Sequence, residues 1–63
     1  MKKEQVIEIM IYTVNNFNIE MAEKAGANYD QIQQMIDAQR PQLEHMCGLM
    51  YDDLVKKGAL TED

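Results

Sequence analysis

With a single cysteine, Cys47, this chain can form no internal disulfide. A lone thiol points to a reducing compartment, so a cytoplasmic location is expected. Tryptophan is absent, phenylalanine occurs once and proline once. The three glycines, Gly26, Gly48 and Gly58, are isolated, which excludes a glycine-rich phosphate loop. No long hydrophobic run exists either. The most apolar stretch, residues 6–14, is interrupted by Glu8 and Thr13 and falls far short of the roughly 18 residues of a membrane span. The Met-Lys-Lys start resembles the basic region of a signal peptide, but no apolar segment or small-residue cleavage site follows. Basic residues are also scarce: six Lys and Arg against eleven Asp and Glu leave a net charge of −5. That balance disfavours nucleic-acid binding. The only basic pairs are Lys2–Lys3 and Lys56–Lys57, and the second suits the negative end of a helix dipole.

What is present is helical periodicity. At about 100° per residue, Val6, Ile7, Met10, Val14, Phe17, Met21 and Ala25 fall in one sector, with Ile11 and Ala22 widening it. This predicts an amphipathic helix over residues 3–25. Gly26 suits the left-handed position that ends a helix. Asn28 and Gln31 have the spacing of a capping box. The turn is therefore short, residues 26–28, and the next helix must run antiparallel beside the first.

The second helix is expected over residues 29–57. Its stripe is Ile32, Ile36, Gln39, Leu43, Met46, Met50 and Leu54, with Met35 and Cys47 at the edges. The alternation of four and three is a heptad seam with one polar member, Gln39, a type of residue that can fix register. Pro41 is a helix breaker. The stripe keeps its phase across it and the ring falls on the solvent side, which favours one helix kinked at Pro41. A three-helix bundle broken at Pro41 is the alternative. The unit is one helical domain, residues 1–58, with a short acidic tail, residues 59–63.

A bare two-helix hairpin cannot cover a broad apolar face. The expected fold is all-α: an antiparallel helical hairpin that pairs with itself as a homodimeric four-helix bundle. The expected core is Val6, Met10, Val14, Phe17, Met21, Ile32, Ile36, Leu43, Met46, Met50 and Leu54.

Chemistry is hard to find. His45 and Cys47 are two residues apart and face away from each other on a helix, so a catalytic dyad fails. No ExxH, HxxxH or CxxC pair offers a metal site. Soft sulfur ligands from Met46, Cys47 and Met50 are better read as core, because methionine fills irregular apolar gaps. No catalytic residue, metal or cofactor is therefore expected.

The surplus apolar residues suggest binding instead. Ile9, Tyr12, Asn16 and Ile19 form a band on the otherwise polar side of the first helix, and Leu49, Tyr51 and Val55 lie off the second stripe. These seven are the candidate partner-binding residues, because aromatic anchors and low charge mark interface centres. The expected function is a non-enzymatic interaction module (regulator, inhibitor or adaptor) that binds a protein target stoichiometrically. Two alternatives stand beside it: a helical-hairpin dimer that binds RNA or DNA, and a small subunit or chaperone-like component stable only within a larger complex.

Overall fold

The structure, a computed structural model, describes residues 1–61. It contains two antiparallel helices, α1 (Lys3–Lys24) and α2 (Tyr29–Lys56), and no strand among the described residues. The helical hairpin expected from periodicity is thus the fold, and the three-helix alternative is overturned. Pro41 lies inside α2, which runs through it unbroken. Both Pro41 and Asp37 are exposed. The carbonyl that Pro41 leaves without a helical partner can therefore bond water, and the helix survives its breaker.

Local chemistry accounts for the ends. Asn28 Oδ1 accepts from the Gln31 N–H at 2.9 Å, and Gln31 Oε1 accepts from the Asn28 N–H at 2.9 Å. This reciprocal capping box satisfies two groups that would otherwise lack partners. At the start of α1, Gln5 Oε1 accepts from the Lys2 N–H at 2.8 Å. Both helices end in a Schellman motif around a left-handed glycine. Gly26 has φ 88° and Gly58 has φ 78°. Ala27 N–H reaches the Ala22 carbonyl at 3.0 Å, and Ala59 N–H reaches that of Leu54 at 2.8 Å. Leu60 also reaches Leu54 and is half-buried. The last two residues of the expected acidic tail, Glu62 and Asp63, lie outside the described residues.

The helices do not meet along the expected heptad seam. Among the described residues Ile11, Leu43, Cys47 and Tyr51 are buried, and Ile7, Met10 and Val14 pack against the cluster of Ile11, Leu43 and Cys47. On α2, steps of four carry the contact from Leu43 to Cys47 to Tyr51. Each such step turns the contact line by about 40°. A heptad alternation of three and four drifts the other way. Four expected core residues therefore swing out of the hairpin: Phe17, Met21, Met46 and Met50 are exposed. Val6, Met10, Val14, Ile32, Ile36 and Leu54 are half-buried. Ile11, at the edge of the predicted sector, is central instead.

Of the polar contacts between the helices, the one between Asn18 and Gln39 is the partly buried one and marks the register. Asn18 Nδ2 donates to Gln39 Oε1 at 3.1 Å, partly buried. Gln39, the polar member of the stripe, thus finds its partner within the hairpin. The whole is a rod of 41 × 18 × 16 Å with a radius of gyration of 13.8 Å. A compact globule of this length would have a radius of about 10.6 Å.

Candidate interaction surface

The contact line decides which side chains are left outside. On α1, Phe17 and Met21 are rotated by about 120° and 80° from Ile11, against the direction of the helix. On α2, Met46 and Met50 are rotated by about 100° and 60° from Cys47 in the same sense. In antiparallel neighbours, displacements of the same sense fall on the same side of the pair. All four therefore share one face of the hairpin. Met10 and Met35, both half-buried, lie toward that face too, so five of the six methionines are gathered there. Phe17 is 62 % exposed, and Met21, Met46 and Met50 are 49, 41 and 43 % exposed. Met50 and Leu54 also line a shallow depression with Asp53 and Lys57.

The opposite face is charged. Glu8 Oε1 accepts a hydrogen bond from Arg40 Nη2, and Arg40 Nε lies 3.7 Å from Glu44 Oε1. The Glu8 hydrogen bond, with further attraction from both carboxylates, holds the Arg40 guanidinium above its ordinary range. These groups are largely solvent-exposed, so the pairs orient side chains and contribute little to stability. Asn15 Oδ1 is buried without a hydrogen-bond partner.

The seven residues singled out from the sequence divide. Ile9, Tyr12, Asn16 and Leu49 are exposed, with Tyr12 at 68 %. Ile19 and Val55 are half-buried. Tyr51 corrects the sequence reading: it is 2 % exposed and belongs to the core. The steps of four carry the contact line across it, and Lys3 Nζ lies 5.6 Å from its ring centroid. The same ammonium pairs with Asp52 Oδ1 at 3.1 Å. The Tyr12 band and the methionine face thus lie on different sides, and the second was hidden in the sequence because its members were assigned to the core.

Cys47 is fully buried while His45 is exposed, so no nucleophile and base meet on this segment. Among the described residues, no three His, Cys, Asp or Glu side chains converge as a metal site. No helix of these residues is long and apolar enough to cross a membrane. No protein-family model matches the sequence, and neither a characterised protein nor a solved structure shows significant similarity to it.

Proposed function

We propose that this chain is a non-enzymatic protein–protein interaction module, a regulator, inhibitor or adaptor that acts by stoichiometric binding and works as a homodimeric four-helix bundle. The observation that carries the reading is the uncovered face of Phe17, Met21, Met46 and Met50. Large apolar side chains exposed together on one face mark contact surfaces in soluble proteins.

Area favours a second copy as its occupant. The accessible surface is 4877 Å², whereas a compact monomer of 7.3 kDa would expose about 4,200 Å². The excess, about 700 Å², is the extra surface of a rod, and side-by-side pairing on a scale near the roughly 800 Å² that each partner contributes to a standard interface would remove an area of that order. Charge favours it as well. Face-to-face pairing buries the apolar side and leaves Glu8, Arg40 and Glu44 outward in water. The Tyr12 band, with Ile9, Asn16 and Ile19, also stays outward and is the surface for a different protein target.

Sedimentation equilibrium at micromolar concentration tests the assembly. The expected mass is twice that of one chain. A well-folded monomer at those concentrations would overturn the dimer, and a molten monomer would favour a subunit stable only within a larger complex. For the target surface, Tyr12→Ala should weaken partner binding while helicity and mass stay unchanged. Loss of the fold in that variant would overturn the assignment of Tyr12.

A further inference from the structure

We infer that the methionine face makes self-association sensitive to two-electron oxidants such as hydrogen peroxide: sulfoxide formation at Met21, Met46 and Met50 separates the pair. This rests on the dimer reading above and adds its regulation. Five methionines share the face, and these three are its exposed members, each between 41 and 49 % accessible in the single hairpin. Their thioethers are apolar and conform to a facing surface. Oxidation changes that chemistry. The sulfur lone pair attacks one peroxide oxygen, the O–O bond breaks as the S–O bond forms, and the departing hydroxide takes the proton carried on the transferred oxygen, which leaves the sulfoxide and one water. The product is a polar, hydrogen-bonding sulfoxide in place of the apolar thioether. A face holding three such groups cannot return to a dry interface without leaving them unpaired.

The reaction takes place on the separated hairpin, where the sulfurs meet solvent. The assembly should therefore protect its own methionines, and dilution should remove the protection. An internal reference is built in. Met1 is exposed and lies beside Gln5, Glu8 and Ile9, away from the face.

The experiment treats the native chain with hydrogen peroxide at two protein concentrations, one above and one below the dimer dissociation constant. Each methionine is followed by peptide mass spectrometry, and mass is followed by sedimentation. Met1 is more exposed than Met21, Met46 and Met50 even in the single hairpin, at 67 %, so the readout is each rate relative to that of Met1. For Met21, Met46 and Met50 that ratio should be several-fold lower in the concentrated sample than in the dilute one. The oxidised chain should sediment as a monomer, with a dissociation constant raised by about 100-fold or more, as the unpaired burial of several polar groups implies. A Met21→Leu, Met46→Leu, Met50→Leu variant should dimerise and keep its mass under the same treatment. A dimer that persists with all three sulfurs oxidised would overturn the inference and leave the dimer intact. Equal dissociation of the leucine variant would also overturn it, by placing the sensitive group elsewhere. A monomeric mass before any peroxide is added would instead overturn the dimer reading itself.

Discussion

Tyr51 and Tyr12 show how much the position of one residue type matters. The first is buried under Lys3, and the second stands 68 % exposed on the outer side of α1. Tyr51→Ala opens a cavity in a core that holds four buried residues among those described and should cost about 3–5 kcal/mol, as other large-to-alanine core changes do. Tyr12→Ala should stay within about 0.5 kcal/mol of the native stability. Urea unfolding followed by circular dichroism separates the two. Gly48 is the other informative residue. It sits within α2, and a β-carbon added there would meet nothing within 4 Å. Gly48→Ala should therefore stabilise the hairpin by about 1 kcal/mol, the helix-propensity difference. Gly48 lies on the side away from Met46 and Met50, outward in the proposed dimer, so a thermal melt that shows destabilisation would contradict pairing through the methionine face.

At the scale of the elements, the ends are specified locally and were legible in the sequence. Asn28, Gln31, Gly26 and Gly58 occupy their expected places because a cap depends on side chains within a few residues of it. Asn28→Ala should lower stability by about 1 kcal/mol and shorten α2 at its start. Amide hydrogen exchange at Gln31, whose N–H would lose its acceptor, checks this directly. The pairing of the elements was less legible. Phe17, Met21, Met46 and Met50 are apolar at helical spacing, and spacing alone cannot distinguish a seam of period 3.5 from a contact line that steps by four. The difference is small per turn. Over the length of α2 it moves Cys47 and Tyr51 inside, and Met46 and Met50 outside.

For the whole molecule, stability and assembly are coupled. A hairpin this small, with four buried residues among those described, has little margin by itself. If it folds as a dimer, its melting temperature must rise with protein concentration by mass action. A Phe17→Lys, Met46→Lys variant places two charges per chain on the face. It should lose that concentration dependence, melt lower and sediment as one chain. A native chain with a melting point independent of concentration over a hundred-fold range would exclude the coupling.

Sequence by itself determined the helices, their antiparallel order, the short turn and the continuity of the apolar phase across Pro41. Each of these follows from interactions between residues close along the chain or from a repeat that a single helix carries. Tertiary structure decided which side of each helix faces the other, and so which apolar residues are core and which are surface. That choice depends on how two rods lie against each other. A sector broad enough to offer several contact lines leaves it open until the other helix is in place.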